Sequence, residues 1–512
     1  MKLLDCTLRD GGYYTNWDFD KKLVLTYCKS MEKLPIDYVE IGYRSIPLDG
    51  YLGEYFYCPE YVMSELKQLM PSKKLAVLLN EKDIRVSHIA ELLEPCKKYI
   101  TLIRIAVNAV NLHRAIKLAD TIKKMGFEVA LNVMYMSKWK DDDSFLDLLK
   151  GLEKTIDYFY MVDSFGGVFQ SDVKEIIKLV KSKTKIKLGF HGHDNMQMAL
   201  ANSITAINEG CSIIDATITG MGRGAGNLRS ELLLTYLNSI GYQDVEFGSL
   251  GNIVSLFEKM KKNYGWGTNL PYMFSGAYSL PQKQVMEWVG MNRYPIASIV
   301  NALDNRKNFM DDNLSLPNLK NQDVTNDFLI VGGGKSVDDN KKALDIFLEK
   351  NNDLKIIHTG LKYISSLKKH KNNQFYALVG SEGDKLLDAV ENIDLKNKKF
   401  VYPPHPRKMG TLIPSETKSY SYELPKIEFT KASNDSPLAT AIQLAIDLNV
   451  KNIFLIGFDG YDTKINNSEF KLVQENQNIF FDLLKIEKIS VKSLTLSKYQ
   501  NLKYSSIYSQ LK

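Results

Sequence analysis

Two histidines separated by one residue, His191 and His193, follow the apolar run 186–190, which is typical of a short buried strand. Side chains alternate between the two faces of a strand, so both imidazoles are predicted to point the same way. Two imidazoles at one strand end can clamp a divalent metal ion. The pattern is equally typical of two polar residues at a solvated strand end, and the spacing alone favours neither interpretation.

Other polar residues follow other predicted strands. Asp10 offers a hard oxygen ligand, and Arg9 beside it is a permanent cation with a fork of donors, although an Arg-Asp pair before the predicted Gly11–Gly12 turn is also typical of a local ion pair. Glu40 can orient Arg9 or form a barrel salt bridge. Asn227 lies in a glycine-rich turn that lets backbone approach a ligand, and it is a candidate fourth ligand; a flexible loop is the alternative.

Eight apolar runs before about residue 230 predict strands, and amphipathic stretches between most of them predict helices. Eight strand-helix units fit a closed parallel (β/α)8 TIM barrel better than an open sheet. The carboxyl ends of barrel strands share one rim, so the polar residues above are predicted to meet there. The predicted strands are Leu3–Cys6, Tyr38–Gly42, Leu75–Leu79, Ile100–Val107, Val129–Met134, Tyr158–Val162, Ile186–Phe190 and Ile213–Ile218.

Length and composition limit the class of protein. The chain has 512 residues, 44% of them hydrophobic and 25% charged, which suits a soluble protein with a barrel and a second domain. The net charge of +6 is spread widely, a weak argument for an anionic ligand and none for nucleic acid. Five cysteines without a CxxC pair predict reduced thiols and a cytoplasmic location. The first predicted strand begins so early that we expect no signal peptide. No apolar run is long enough to span a bilayer, so we expect no membrane insertion.

Five separated motifs resemble the DRE-TIM metallolyase superfamily, most of all its 4-hydroxy-2-oxovalerate aldolase family. The resemblance covers roughly residues 1–300. It implies a divalent metal, Mn²⁺ or Mg²⁺ in preference to Zn²⁺, held by Asp10, His191 and His193, with Asn227 matching a ligand that some members use. The motifs, in chain order, are TLRDG from Thr7, EIG from Glu40, DSFGG from Asp163, HGHDN from His191 and GMGRGAGN from Gly220.

The resemblance also implies a reaction, the making or breaking of a carbon–carbon bond through the enolate of a 2-oxo acid such as pyruvate, with an aldehyde or sugar acceptor. Arg9 would hold an oxygen of the 2-oxo acid, Glu40 would hold Arg9, and Ser164 would line the substrate site. A Lewis-acidic metal beside a fixed cation stabilises an enolate. A homodimer is a further expectation from the family.

One residue departs from the aldolase pattern. The family carries its catalytic base, a histidine, three residues after the metal aspartate, and this chain has Tyr13 there. A phenol, with an ordinary pKa of about 10, is a poor base near neutral pH. A tuned Tyr13, Tyr14, a bound water or an unplaced residue would then move the proton. Tyr278, within the segment 275–279 that resembles a tyrosine-bearing segment of the family, is a second candidate acid; a packing role is the alternative.

The remainder of the chain predicts a second α/β unit. The predicted division is a barrel at 1–247, a helical extension at 248–316, a polar linker at 317–326 and a Rossmann-like domain at 327–512. The first strand of that domain runs into a glycine-rich turn and a helix from about Asp338, an arrangement typical of an anion site, although it is neither a Walker A loop nor a full GxGxxG. Later strands are predicted at Lys355–His358, Phe375–Val379, Lys399–Tyr402 and Ile453–Ile456.

This second unit resembles, more faintly, the Rossmann-like domain of MptE-like proteins and some bacterial sialyltransferases, through LIVGGGKS and NDSPLATAIQLAIDLNVKNIFLIGFDGYD. The resemblance implies a nucleotide or nucleotide-sugar ligand. Gly332, Gly334 and Ser336 would surround a phosphate, and Asp459 would face a ribose or sugar hydroxyl. A purely structural α/β domain is the alternative. His405 is predicted in a loop, as a base or as a solvated side chain.

The sequence therefore predicts a metal-dependent aldolase or lyase joined to a nucleotide-binding domain, a pairing that suggests synthesis of an unusual surface carbohydrate. Three other classes stay open. They are an acyl-CoA-dependent condensing enzyme of the same superfamily, a glycosyltransferase whose barrel is a scaffold, and a non-catalytic nucleotide sensor.

Overall fold

The computed structural model describes residues 1–308, 315–319, 326–390, 394–407, 412–433, 435–461 and 467–511. The chain forms two compact units, Met1–Met286 and Glu287–Lys512. The division falls within the segment 248–316 that was predicted as a helical extension. Of the predicted linker 317–326, residues 320–325 lie outside the described residues.

The first unit contains a closed barrel in which every strand pairs in parallel with its neighbours in chain order. The prediction of a (β/α)8 barrel is confirmed, and the strand ends differ from the prediction by one or two residues. The seventh strand continues to Gly192, so His191 lies inside it. The strands are β1 Lys2–Asp5, β2 Tyr38–Tyr43, β3 Lys74–Asn80, β4 Ile100–Asn108, β5 Glu128–Met134, β6 Tyr158–Asp163, β7 Lys187–Gly192 and β8 Ile213–Ala216.

Helices surround this barrel, and their apolar faces pack on the outward side chains of the strands. A smaller apolar cluster fills the barrel interior. The helices are α1 Thr7–Thr15, α2 Lys21–Lys33, α3 Glu54–Tyr57, α4 Glu60–Leu69, α5 Val86–Leu93, α6 Leu112–Lys124, α7 Met136–Trp139, α8 Asp143–Asp147, α9 Gln170–Lys183, α10 Ala199–Asn208, α11 Ser230–Ser239, α12 Phe247–Tyr264 and α13 Leu270–Ala277.

The segment after β1 is helix α1, and the predicted turn at Gly11–Gly12 is wrong. Both glycines lie inside the helix, where they permit close packing: a Cβ on Gly12 would lie 2.1 Å from the ring of Trp17. Because the helix starts directly after the strand, it carries Arg9 and Asp10 to the carboxyl end of the barrel, and both side chains are buried there.

The second unit has a single parallel sheet, with the order β13-β12-β11-β10-β9-β14-β15-β16 among the described residues. The five strands predicted for this unit are present. Three short strands, β13, β15 and β16, were not predicted. The strands are β9 Asp327–Val331, β10 Lys355–His358, β11 Gln374–Ala377, β12 Lys398–Tyr402, β13 Ser421–Glu423, β14 Asn452–Ile456, β15 Ser490–Ser493 and β16 Lys503–Tyr504.

Two apolar clusters cover the two faces of this sheet, as expected for a doubly wound α/β domain. No helix in the described ranges is long and apolar enough to cross a bilayer. The remaining helices are α14 Gln282–Met291, α15 Ile296–Lys307, α16 Ser336–Asp339, α17 Lys341–Lys350, α18 Ile364–Leu367, α19 Glu382–Ala389, α20 Pro437–Asp447 and α21 Asn467–Leu484.

Candidate active site

The four predicted metal ligands lie together at the carboxyl end of the barrel. Oδ2 of Asp10 is 3.7 Å from Nε2 of His191, and the rings of His191 and His193 have centroids 4.9 Å apart. Asn227 pairs with His193 in an isolated β-bridge, and its Nδ2 donates to Oδ2 of Asp10 at 2.7 Å. The structure thus brings together side chains from α1, from the end of β7 and from the turn after β8.

Hydrogen bonds fix the tautomer of both histidines. Nδ1 of His191 lies 2.9 Å from Oδ2 of Asp215, and Nδ1 of His193 lies 2.7 Å from the carbonyl oxygen of Asp163. Because these oxygens accept, each Nδ1 carries the proton and each Nε2 keeps a lone pair. Burial, with the neighbouring His191 and Arg223, lowers the pKa of His193 to about 3, so this imidazole is neutral at physiological pH. Both rings are therefore prepared as metal ligands.

The donor set fits a divalent metal. Oδ1 of Asn227 is buried and has no hydrogen-bond partner in the described part of the chain, while Nδ2 of the same amide is fixed on Asp10. Burial opposes ionisation of Asp10, but the Arg9 guanidinium and the hydrogen bond from Asn227 lower the pKa of Asp10 below its ordinary value. Imidazole nitrogens with carboxylate and amide oxygens suit Mn²⁺, Mg²⁺ or Zn²⁺.

A second group of donor atoms lies behind His191. One atom each of Cys6, His191 and Asp215 lies within 4.8 Å of the others. Burial raises the pKa of the Cys6 thiol well above its ordinary value, so the thiolate that a metal would need is disfavoured. Asp215 already accepts hydrogen bonds from His191 and Arg104. These residues therefore support His191 and are a poorer metal site than the set containing Asp10.

Ion pairs connect the site residues into a closed circuit, which we call the charged ring. Nε of Arg9 is 2.7 Å from Oε2 of Glu40, and the same oxygen is 3.0 Å from Nη1 of Arg104. Arg104 reaches Asp215, and Arg9 reaches Asp10. Its three carboxylates outnumber its two guanidinium groups by one, which favours a cation nearby. The members, all buried, are Arg9, Asp10, Glu40, Arg104, His191 and Asp215.

Sequence reasoning missed Arg104 and Asp215, although a signal was present. Each is a charged residue inside an apolar strand, and such residues are rarely buried without a specific partner. The guanidinium of Arg104 also lies 4.3 Å from the ring centroid of Tyr160 and donates to Asn132 at 3.2 Å. The carbonyl of Asp163 left no signal because a backbone acceptor has no side-chain signature.

The predicted proton-transfer tyrosines lie at the same rim. The hydroxyl of Tyr13 is 3.3 Å from that of Tyr43, and the Tyr13 side chain is 37% exposed. Burial, and then the neighbouring Tyr13, raises the pKa of Tyr43 well above its ordinary value. Tyr14 donates to the carbonyl of Gly224 at 3.2 Å, and burial raises its pKa too. Tyr14 and Tyr43 are therefore protonated at neutral pH.

Ser164 and Tyr278 differ in burial. Ser164 is buried just after β6, and its hydroxyl accepts from the amide of Tyr135 at 2.9 Å. Tyr278 follows α13, is 47% exposed and packs on Phe274 with ring centroids 4.6 Å apart.

The polar groups of the glycine-rich turn in the second unit form hydrogen bonds with other residues of that unit. The amides of Gly332 and Gly334 donate to backbone carbonyls at 456–457, each at 2.8 Å. The amide of Ser336 donates to Oδ2 of Asp459 at 2.9 Å, and the Ser336 hydroxyl donates to the other carboxylate oxygen. A carboxylate of the protein thus takes the place predicted for a phosphate, and these contacts argue against the predicted phosphate cradle.

A cavity of about 850 Å³ lies beside that turn, at the carboxyl edge of the second sheet. The loops after β9 and β14 line it, together with the starts of α19 and α20 and part of α21. β9 lies between β10 and β14, so later strands of the chain are added on both sides of β9. Open α/β sheets bind ligands at the carboxyl end of the sheet where the strand order reverses in this way. His405, exposed in the loop after β12, does not line this cavity.

Comparisons with known proteins agree with the barrel geometry. The HMGL-like family profile matches residues 1–253. A 4-hydroxy-2-oxovalerate aldolase of Geobacillus thermodenitrificans is 28% identical over 249 residues, which are 47% of this chain and 70% of that protein. An oxaloacetate decarboxylase of Mycobacterium tuberculosis is 24% identical over 241 residues, 47% of this chain and 70% of that protein.

A solved structure extends the likeness. The N-terminal domain of a candidate aldolase from Bacteroides vulgatus is 53% identical, with a TM-score of 0.56, and the match covers 59% of this chain and all of that domain. The resemblance that the five motifs predicted is confirmed for the barrel. The fold, the rim residues and these likenesses together identify residues 1–253 as a domain of the HMGL-like family.

Proposed function

We propose that the barrel is a divalent-metal-dependent aldolase or lyase that makes or breaks a carbon–carbon bond through the enolate of a pyruvate-type 2-oxo acid. The main support is that Nε2 of His191 lies 3.7 Å from the carboxylate of Asp10, that the ring of His193 lies beside that of His191, and that the amide of Asn227 is held on the same carboxylate. These four residues would hold the metal. When bound, the metal polarises the oxygens of the 2-oxo acid.

Arg9 supplies the fixed cation of the proposed mechanism. Its Nε is held by Glu40 and its Nη1 by Asp10, so Nη2 is the nitrogen that donates to the substrate oxygen. Glu40 cannot turn away, because Arg104 binds the same carboxylate oxygen. A guanidinium held in this way stabilises the enolate charge without reorganising during the reaction. Ser164, whose oxygen accepts from a backbone amide, still has its own proton to donate to the substrate.

Tyr13 is the proton-transfer residue in this proposal, and Tyr278 is the alternative. The hydroxyl of Tyr13 is partly exposed and hydrogen-bonded to the buried hydroxyl of Tyr43, so a proton that Tyr13 gives to the enolate carbon can be replaced from solvent. A phenol suits the acid step better than the base step. In the condensing direction the phenolate form of Tyr13 would take a proton from the methyl carbon of the 2-oxo acid and return to the phenol.

Exchange of the methyl protons of pyruvate in D₂O, followed by NMR, tests this function. We expect exchange that depends on added Mn²⁺ or Mg²⁺ and is lost in Arg9→Ala, with partial activity in Arg9→Lys, which keeps the charge but not the fork. Arg85→Ala, in an exposed loop, is the control and should match wild type. Exchange that persisted in Arg9→Ala would contradict the proposed role of Arg9.

Absence of exchange in the metal-loaded wild type would contradict pyruvate as the donor. The same assay with acyl-CoA donors would then test the acyl-CoA-dependent condensing alternative. A metal content that falls in His193→Ala, measured by elemental analysis, would still separate a metal enzyme from a scaffold barrel.

We also propose that the second unit binds a nucleotide or nucleotide-sugar, so that the protein works on a small-molecule 2-oxo acid and a sugar acceptor in the synthesis of a surface carbohydrate. The cavity at the carboxyl edge of the sheet supports this, since its volume is in the range of small-molecule sites. Binding of nucleotides to the full-length chain tests it, as set out below.

Two further expectations accompany this proposal. A cytoplasmic location is supported by five cysteines that are all buried and unpaired. A homodimer is expected from the family, and light scattering coupled to size-exclusion chromatography tests it.

A further inference from the structure

The cavity of the second unit contains two basic side chains that no acidic residue neutralises. Of its acidic residues, Glu475 pairs with Arg293 at 2.7 Å, Glu382 pairs with Lys385, and Asp459 is bound by Ser336. In the described part of the chain, Lys335 and Lys471, which also line the cavity, have no ion-pair partner. Both side chains are exposed. Two ammonium groups without an acidic partner exceed the one carboxylate, that of Asp459, which is bound by neutral groups, so the cavity favours an anionic ligand.

The groups of the glycine turn that were predicted to hold a phosphate do not provide the anion site. The amides of Gly332, Gly334 and Ser336 are engaged within the protein, and Gly334 is needed for another reason: a Cβ there would lie 2.5 Å from Oδ2 of Asp459. The turn is therefore shaped around the carboxylate of Asp459. That carboxylate would also repel a phosphate placed at Ser336. The two lysines are the groups left to bind an anion here.

The rest of the cavity is suited to an uncharged flat group. Apolar side chains line it beside the rings of Tyr461 and Tyr499. The Tyr461 side chain is 39% exposed, so its ring is available for stacking. Aromatic rings beside apolar side chains bind a planar base well. The apolar lining residues include Met291, Val379, Leu438, Phe458 and Leu472.

We propose that this cavity binds the nucleoside diphosphate part of its ligand, free or linked to a sugar, with the diphosphate held by Lys335 and Lys471 and the base beside Tyr461. The inference rests on the proposed nucleotide-binding function of the second unit and deepens it, because it names the ligand class and moves the phosphate contacts from Gly332, Gly334 and Ser336 to the side chains of two lysines. The ammonium groups act as point charges on the diphosphate.

Isothermal titration calorimetry on the full-length chain tests the proposal with CDP, UDP, GDP and ADP. We expect at least one to bind, and both Lys335→Ala and Lys471→Ala to weaken it by about tenfold each, since each loses a charge-assisted contact. The corresponding nucleoside monophosphate should bind more weakly and depend less on the two lysines. Lys488→Ala, an exposed lysine that does not line the cavity, is the matched control and should bind like wild type.

The outcomes separate the inference from the function on which it rests. If no nucleoside diphosphate binds to a wild-type sample that still exchanges pyruvate protons, the nucleotide function of the second unit fails, and this inference with it. If binding is unchanged in the double lysine variant, nucleotides bind but not through these lysines, and only the inference fails. Inorganic pyrophosphate that binds as tightly as the best nucleotide would overturn the role given to the base.

Discussion

The His-Gly-His motif at 191–193 and the Gly-Gly-Gly-Lys-Ser motif at 332–336 both occur where a buried parallel strand ends, but their polar groups are used differently. In the barrel, hydrogen bonds hold one side of each imidazole and leave the other nitrogen free. In the second sheet, the amide and hydroxyl of Ser336 are both bound to Asp459. The first motif presents open ligand atoms, whereas the polar groups of Ser336 in the second are already bound by the protein itself.

The difference teaches that a motif predicts which groups are present but not whether they are free. The partner that closes the glycine turn lies 123 residues further along the chain. The partners that hold the two histidines come from β6 and β8, and they leave Nε2 free because they bind Nδ1. Local sequence cannot distinguish these two outcomes, so the comparison has to be tested by removing the partners.

The largest effect is expected from Arg104→Met, which removes the cation between Glu40 and Asp215. Two buried carboxylates, those of Glu40 and Asp215, would then each lose one of their partners, and breaking a buried ion pair of this kind costs about 3–5 kcal/mol of unfolding free energy. Pulse proteolysis of the chain over a series of urea concentrations, with the peptides from residues 1–253 quantified, measures the unfolding free energy. Arg104→Lys keeps the charge and should lose less. An unchanged midpoint for Arg104→Met would mean that the charged ring is not structurally required.

A buried histidine of the second unit provides the next test. His358 lies in β10, its ring is stacked on Tyr376 with centroids 4.4 Å apart, its Nε2 is 3.1 Å from Oε1 of Gln374, and its Nδ1 is buried without a hydrogen-bond partner among the described residues. Burial lowers the pKa of His358 to about 4. Its neutral form therefore contributes stability that is fully present above the unfolded pKa of about 6.5 and is lost as the pH falls toward 4.

We expect the second unit to lose about 3 kcal/mol across that window, and His358→Phe to remove most of this pH dependence. Pulse proteolysis of the chain at several pH values, with the peptides from residues 327–407 quantified, measures this loss of unfolding free energy. His113→Gln, an exposed histidine of the barrel unit, should not change the slope. A slope that survived in His358→Phe would assign the pH dependence to other groups.

A smaller effect is expected from Asp215→Asn, which keeps an acceptor for His191 but removes the charge that holds the ring and its tautomer. Removing the carboxylate partner of a ligating histidine typically weakens metal binding by about 10- to 100-fold. Mn²⁺ affinity, measured by electron paramagnetic resonance of free Mn²⁺, reads this out without an activity assay. Asp120→Asn, an exposed carboxylate, is the control. Equal affinities in the two variants would contradict the positioning role of Asp215.

The smallest effect is expected from Ser336→Ala, which removes one of the two hydrogen bonds between the glycine turn and Asp459. The loss should be about 1–2 kcal/mol of unfolding free energy, since the acceptor is charged and the hydrogen bond from the backbone amide of residue 336 to Asp459 remains. Nucleotide affinity, measured by calorimetry, should stay unchanged. Ser365→Ala, an exposed serine, controls for stability. A strong loss of nucleotide affinity in Ser336→Ala would reopen the turn as a phosphate site.

The strands of both units could largely be predicted, because long apolar runs with β-branched residues indicate buried parallel strands. The strands β13, β15 and β16 could not, since they are short, polar and close to or at the sheet edges. Their positions are set by pairing with neighbours rather than by their own composition. The helix that replaces the predicted turn at Gly11–Gly12 was missed because its glycines serve packing rather than backbone freedom.

The candidate site was predictable to the extent that its residues directly follow strands. Asp10, His191, His193 and Asn227 were expected at one rim from their positions after predicted strands, and their role as metal ligands was what the family resemblance implied. Arg104 and Asp215 were not, because a charge inside an apolar strand could face either side of the barrel until its partners are known. What sequence could not supply was the pairing between distant strands, which decides whether a buried charge is tolerated.

The charged ring has a consequence for how the barrel assembles. Its members come from α1, β2, β4, β7 and β8, so the last strands of the barrel carry the partners of charges in the first half. A half barrel that ended after β4 would bury Arg104 without Asp215 and leave His191 and its carboxylate partner absent. In such an intermediate Arg104 keeps Glu40 but Nη2 of Arg104 lacks its acceptor on Asp215, and closure of β8 against β1 supplies that acceptor. The barrel should therefore fold as one cooperative unit and resist division into stable halves.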